Sequence, residues 1–268
     1  MSIRLIALDL DDTLLNSKHQ IAPPCVSAIQ EARKKGVLVT LATGRMFRSA
    51  VGFAHELEID LPLITYQGAL VKHSLSEKTI YYKPLPTELS RELMYFLKEI
   101  GVYYHSYFDD QLYVEAFTED NEKYASITGV ERIKVDSLVD LLESRPALEI
   151  LAVVPQKKQL SHLVDELSYR YGEHLNISRF KKRYLEILNK EATKLHALQV
   201  ICRQYGIHQS EVMAVGDNYN DISMIEWAGL GVAMGNAYPE VKKIANYVTR
   251  SNDEQGVAEA IHRFVLRG

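Results

Sequence analysis

Short apolar runs that stop on polar residues recur at both ends of the chain. Between them lie stretches whose apolar residues fall three and four apart. The first run, Leu5 to Leu8, stops on Asp9-Leu10-Asp11-Asp12-Thr13. A run of this length bounded by polar residues fits a strand buried on both faces of a parallel sheet. Pro24 to Lys35 follows as a helix with Val26, Ile29 and Ala32 in a stripe, closed by Lys34-Lys35-Gly36. Val37 to Leu41 is a second strand that ends in Ala42-Thr43-Gly44-Arg45, and a helix covers Arg48 to Leu57. Leu63 to Tyr66 is a third strand, closed by Gln67-Gly68-Ala69. This β-α-β-α-β alternation predicts right-handed crossovers and a parallel sheet. The rhythm returns near the other end. A helix covers Thr193 to Tyr205, and the strand Val212 to Val215 runs into Gly216-Asp217-Asn218-Tyr219-Asn220-Asp221. Next come a helix from Asp221 to Ala228, a strand from Leu230 to Met234, a helix from Pro239 to Asn246, a short strand at Tyr247 to Thr249 and a closing helix from Glu254 to Leu266.

The middle has another character. A helix at Thr87 to Ile100 leads to a tyrosine-rich hairpin, Val102 to Ala116, with its turn at Asp109-Asp110-Gln111. Helices at Glu119 to Thr128 and Leu138 to Glu143, a strand at Leu148 to Val154, a helix at Lys157 to Tyr171 and strands at Ile177 to Phe180 and Tyr184 to Leu188 complete it. These strands lack acidic ends. The chain therefore reads as α/β: a doubly wound, parallel-sheet, Rossmann-like core formed by residues 1–82 and 189–268, interrupted by an α+β module at 83–188.

Composition narrows the class without changing the picture. A chain of 268 residues with 47% hydrophobic and 25% charged residues is ordinary for a globular protein. A net charge of −4 argues against a general nucleic-acid binder, which carries a basic face. Cys25 and Cys202 lie in helix-like segments without metal-ligand spacing and read as buried thiols. No apolar run approaches the roughly 20 residues of a membrane helix. Ser2-Ile3-Arg4 leads straight into a strand with no signal peptide, so a soluble cytoplasmic protein is the simplest reading.

The polar clusters carry the chemistry. In a parallel sheet, strand ends of one sense meet at one edge, where ligands bind. That logic gathers Asp9, Asp11, Thr43, Gly44, Lys194, Asp217, Asn220 and Asp221. Asp9, Asp11 and Asp217 offer oxygen ligands suited to Mg²⁺. Thr43 offers a hydroxyl, Gly44 lets backbone N–H approach an anion, and Lys194 adds one positive charge. The set suits a phosphoryl group: metal and lysine offset the repulsion between anionic substrate and anionic nucleophile. Asp9 can attack phosphorus to give an aspartyl-phosphate. Asp11 can protonate the leaving oxygen and later take a proton from water.

These residues resemble the four motifs of the haloacid dehalogenase-like superfamily: Asp9-Leu10-Asp11-Asp12-Thr13, Thr43-Gly44-Arg45, Lys194, and Gly216-Asp217-Asn218-Tyr219-Asn220-Asp221. The long insert between the second and third motifs, with Tyr184-Leu185-Glu186-Ile187 and Ala233-Met234-Gly235-Asn236-Ala237, resembles the Cof-type sugar-phosphatase branch. The resemblance implies Asp9 as nucleophile and Mg²⁺ ligand, Asp11 as acid/base with its backbone carbonyl on the metal, and Asp217 as the third ligand. It also implies Thr43, Gly44, Lys194 and Asn220 around the phosphoryl oxygens, with Asp221 supporting the metal shell or Lys194. An acid at position 11 implies phosphate-ester hydrolysis. The sequence departs from the branch at Gln67, where Asn is usual, at Leu195, where Gly is usual, and at Asn189 and Glu191, where Pro and Gly are frequent.

Plainer readings stand beside these. A calcium loop at Asp9 to Gln20 fails, because its sixth position is Leu14 and its twelfth Gln20. Asp12 reads as a solvated or capping residue and Thr13 as a brace for the turn. Arg45 either contacts substrate or starts a helix. Tyr103, Tyr104, His105, Tyr107 and Tyr113 are a packed sheet face or a pocket lining. Arg179, Lys181, Lys182 and Arg183 are a solvated loop or an electropositive entrance. The leading expectation is a Mg²⁺-dependent phosphatase for small phosphorylated metabolites, sugar phosphates foremost, with the insert as a cap that excludes water and no obligate protein partner. A phosphomutase or phosphotransferase on the same core is the alternative. A non-enzymatic phospho-aspartate switch is the reading from another class, against which the insert argues.

Overall fold

The computed structural model describes residues 2–154, 156–180 and 183–267. The chain divides into two compact units, Met1–Tyr81 with Thr193–Gly268, and Tyr82–Ala192.

The first unit holds the expected parallel sheet. Its strands run in the order Tyr247–Val248, Leu230–Ala233, Val212–Gly216, Leu5–Leu8, Leu38–Leu41, all parallel. Leu5, Ile6, Ala7 and Leu8 have no exposed surface, as a central strand covered on both faces requires. Helices pack on this sheet through apolar faces; of the expected Val26, Ile29 and Ala32 stripe, Ile29 and Ala32 are buried and Val26 is half-buried. Pro23–Lys34 starts on a proline, buries Cys25, Ala28, Ile29 and Ala32, and hands over to Gly36 at φ +84°. Lys194–Tyr205 is capped by the Thr193 hydroxyl, which accepts from the His196 N–H, and stops at Gly206 in the left-handed region.

The third strand leads into a hairpin that the sequence does not show. Pro62–Thr65 lies parallel beside Leu38–Leu41, joined by the bridge between Ala42 and Ile64 and by the Thr40 hydroxyl, which donates to the Pro62 carbonyl at 2.7 Å. It then turns back as an antiparallel hairpin with Leu70–His73, followed by Thr79–Tyr82, in a three-stranded sheet. The cause is local: Tyr66, Gln67 and Gly68 have φ of +50°, +55° and +107°, which reverses the chain instead of launching a crossover helix. The closing helix is also shorter than expected. Gly256–Ile261 is α-helical and His262–Leu266 widens into a π turn.

The second unit carries a six-stranded sheet in the order Leu175–Phe180, Tyr184–Asn189, Glu149–Val153, Tyr103–Phe108, Gln111–Val114, Arg132–Lys134. Its pairs are antiparallel except the last. Asp109 and Asp110, at φ +49° and +58°, make the two-residue turn of the central hairpin. One face buries Tyr104, Phe108, Ile150, Ala152 and Ile187 against Leu93, Leu97, Leu160, Leu163 and Leu167 of the helices Thr87–Glu99 and Lys157–Tyr171. The aromatic run therefore splits by alternation, with Tyr103, His105 and Tyr107 on the opposite face. In the basic run, Lys181 and Lys182 lie outside the described residues. Among the described residues no helix is long and apolar enough to cross a membrane.

Candidate active site

Strand register assembles the site. Leu8 pairs with Val215 on one side and Leu41 on the other. The next residues out place Asp9 between the Ala42-Thr43 end and the Gly216-Asp217 end. Asp9 is anchored there by its N–H on the Val215 carbonyl, 3.0 Å. Beyond it the chain coils through Leu10–Leu14, with Asp12 at φ +60°. Thr13 comes back inward, and its hydroxyl donates to Asp217 Oδ1 at 3.1 Å. Thr13 thus braces the partner motif as well as its own turn.

Lys194 is the hub. Its Nζ lies 2.6 Å from Asp9 Oδ1 and 2.6 Å from Asp221 Oδ1, with no exposed side-chain surface. Burial opposes its charge, but Asp221 and Asp9 outweigh that and hold the ammonium protonated. Asp221 is saturated: Oδ2 accepts from the N–H groups of Asp217 and Asn218, both at 3.0 Å. Gly216 makes this possible, because a side chain there would overlap the Asp221 carboxyl. Gly68 has the same part on the opposite side. At φ +107° its bare Cα packs on the Thr193 backbone, where the Lys194 helix begins.

Carboxyl oxygens of Asp9, Asp217 and Asp221 all lie within 4.8 Å of one another. Burial, partly offset by Lys194, pushes the Asp9 carboxyl well above its ordinary range. Burial and then Asp221 push Asp217 up to about 7. Two like charges this close, away from water, favour protons or a cation. Asp9 Oδ2 and Asp217 Oδ2 have no hydrogen bond among the described residues, whereas both oxygens of Asp221 are engaged. Two open carboxylate oxygens on adjacent strands fit a hard divalent ion, and Asp221 is placed to hold Lys194 and the loop.

The remaining predicted residues divide. Thr43 is buried at the end of its strand, and its hydroxyl accepts from the Arg45 N–H at 3.1 Å. Gly44 lies under the Gln67 amide, which a side chain at 44 would overlap. Asn220 is exposed, and its amide donates to Gln67 Oε1 at 2.8 Å. Gln67, noted in the sequence only as a departure, therefore joins the second and fourth motifs. Asp11 stands apart from the Lys194 cluster. Its carboxylate is gripped by Arg45, with Nε to Oδ2 at 2.8 Å and Nη2 to Oδ1 at 2.7 Å. Nothing in the spacing of Asp11 and Arg45 signals that pairing; it follows from the neighbouring strands Leu5–Leu8 and Leu38–Leu41.

The chain matches known proteins along its length. The model of the haloacid dehalogenase-like hydrolase family covers residues 6–261. YxeH of Bacillus subtilis (strain 168) is 35% identical over 277 residues, covering 98% of each chain. A second relative from that organism is YitU, named a 5-amino-6-(5-phospho-D-ribitylamino)uracil phosphatase. It is 30% identical over 273 residues, covering 97% of each chain. A haloacid dehalogenase-like hydrolase from Bacteroides thetaiotaomicron superposes with a TM-score of 0.89 at 32% identity, covering 98% of this chain and 99% of its own. BT4131, described as a subclass IIB sugar phosphatase, superposes at 0.82 with 26% identity, covering 97% and 98%.

Proposed function

The chain belongs to the haloacid dehalogenase-like hydrolase family, on its Cof-type branch, and is a phosphoric monoester hydrolase; from that premise we propose that it hydrolyses small phosphorylated metabolites, sugar or polyol phosphates foremost, through an aspartyl-phosphate on Asp9 with Mg²⁺ as its metal. The carrying observation is the Asp9–Asp217 pair, each carboxylate with one oxygen tied down and one open around a buried lysine. The substrate class draws support from BT4131, a sugar phosphatase by its description, and from YitU, whose named substrate bears a phospho-ribityl chain.

Asp9 and Asp217, with the Asp11 main-chain carbonyl, would hold the ion. When bound, the ion offsets the charge of the phosphoryl group beside the anionic Asp9. Lys194 keeps Asp9 oriented for attack on phosphorus and opposes the effect of burial on its carboxyl. As that bond forms, the bond from phosphorus to the leaving oxygen breaks, and Asp11 gives that oxygen its proton. Asp11 then removes a proton from water as the water attacks phosphorus, freeing inorganic phosphate and restoring Asp9. Thr43, Gly44, Lys194 and Asn220 bind the phosphoryl oxygens, and residues 83–188 serve as the cap that selects the organic group.

Phosphate release from a panel of phosphorylated sugars and polyols, with and without Mg²⁺, tests this. Asp9→Asn lowers turnover by about 10⁴ or more while the fold is retained. Turnover by a clean Asp9→Asn preparation within about tenfold of wild type ends the nucleophile assignment. Phosphoryl transfer to an added sugar in place of phosphate release would make the enzyme a phosphotransferase.

A further inference from the structure

Arg45 has no part in the chemistry derived so far, yet it makes the most directional ion pair near the site. Its guanidinium presents two N–H groups to the two oxygens of Asp11, at 2.8 and 2.7 Å. Such a fork fixes a carboxylate in position and in plane. Arg45 is itself held: its guanidinium carbon lies 5.2 Å from the Phe53 ring centroid, and its main-chain N–H donates to Thr43 Oγ1. Its side chain is 17% exposed and that of Asp11 is 36% exposed. Thr43 and Arg45 share one turn, closed by the Arg45 main-chain N–H on the Thr43 hydroxyl. Both Asp11 oxygens accept from the Arg45 guanidinium.

We propose that Arg45 is a positioning residue for Asp11: it parks the carboxylate until a phosphoryl dianion takes over the guanidinium; the released, partly exposed carboxylate then takes a proton from solvent and turns to the leaving oxygen, which the guanidinium-bound phosphoryl group presents to it. The exchange is chemically matched, because carboxylate and phosphoryl oxygens both fit the guanidinium fork. It would bring the acid to the reaction only when substrate is present. The inference rests on the phosphatase reading, with Asp11 as the acid that protonates the leaving oxygen.

Leaving groups separate this role from simple anion binding. A p-nitrophenolate departs without much help, whereas an alkoxide needs its proton. The wild type, Arg45→Ala, Arg45→Lys and Asp11→Asn are compared on p-nitrophenyl phosphate and on glycerol phosphate. Arg45→Ala is expected to raise KM for both substrates. It lowers kcat for glycerol phosphate about tenfold or more, and changes kcat for p-nitrophenyl phosphate by no more than about threefold. Arg45→Lys, which keeps the charge and loses the fork, falls between wild type and Arg45→Ala on the alkyl ester. Asp11→Asn sets the scale, with the same leaving-group bias and a larger loss. Equal kcat losses on the two esters, a change in KM alone, or no change overturns the proposal. An active Asp9→Asn variant, or an Asp11→Asn variant without leaving-group bias, overturns the underlying reading instead, and this proposal with it.

Discussion

Both units of the molecule bury acidic side chains together, and they deal with the charge in opposite ways. In the parallel-sheet unit Asp9, Asp217 and Asp221 stand past strand ends, where backbone N–H groups are not yet committed to a ladder. Asp221 takes two of these, and Lys194 bridges it to Asp9. In the other unit Glu149 opens a strand and Glu186 sits inside one, both on a sheet whose ladder has already used the backbone. Glu149 lies opposite Tyr107, and Leu151 lies between His105 and Glu186, so all share one face. Burial and then Glu186 push the Glu149 carboxyl well above its ordinary range. Burial pushes the His105 imidazole down to about 3. One cluster organises charge and the other suppresses it. Strand ends can solvate an anion with main-chain dipoles, and strand interiors cannot.

The largest break in this comparison comes from Lys194→Met. Removing the hub of a buried ion network strands Asp9 and Asp221 without their shared cation, which typically costs about 3–5 kcal/mol. Urea denaturation should show that loss, together with a loss of turnover. A destabilisation below about 1 kcal/mol would mean that the aspartates are already neutral and that Lys194 organises nothing.

The contrast also marks what the sequence makes legible. Asp9, Thr43, Lys194 and Asp217 could be gathered on paper because each follows a strand or opens a helix of one parallel sheet, and sheet edges collect such residues whatever their separation. The Asp11–Arg45 fork, the Gln67–Asn220 bond and the Thr13–Asp217 bond were not legible, since each depends on side-chain direction within a loop. The hairpin after Pro62–Thr65 was hidden for a related reason: Tyr66 and Gln67 take positive φ, which their residue types do not announce. Arg132–Lys134 pairs at the sheet edge as a three-residue strand, too short for any alternation to show. The Glu149–Glu186 pairing depends on antiparallel register between distant strands, which spacing does not fix.

A smaller effect, of opposite sign, is expected from Glu149→Gln. The folded-state pKa of Glu149 lies above its unfolded value, so the folded chain holds a proton that the unfolded chain releases as pH rises. Its favourable contribution is complete below the unfolded pKa and is lost as pH climbs through the folded one. The amide mimics the protonated acid and takes no part in that loss. Thermal midpoints should match wild type near pH 4 and exceed it by about 2–4 °C near pH 8. A midpoint below wild type at the higher pH would show that Glu149 works as an anion.

The smallest effect tests the same cluster from the acid side. Both ring nitrogens of His105 are buried without a hydrogen-bond partner among the described residues, and the ring is packed against Tyr107 and Tyr124 at centroid distances of 5.7 and 5.1 Å. Its folded pKa lies below the unfolded value, so its contribution is complete above about pH 6.5 and is lost as pH falls toward about 3. Phenylalanine keeps a ring of similar size and cannot take the proton. The midpoint of His105→Phe should therefore exceed wild type by about 1–2 °C near neutrality, from removal of two unsatisfied polar atoms, and the gap should widen as pH drops toward 5. The two variants thus diverge from wild type at opposite ends of the pH range, and the double variant should flatten the profile at both. Parallel profiles for the two single variants would mean that Glu149 and His105 share a proton as an ion pair, and the contrast between the two units would then reduce to one of degree.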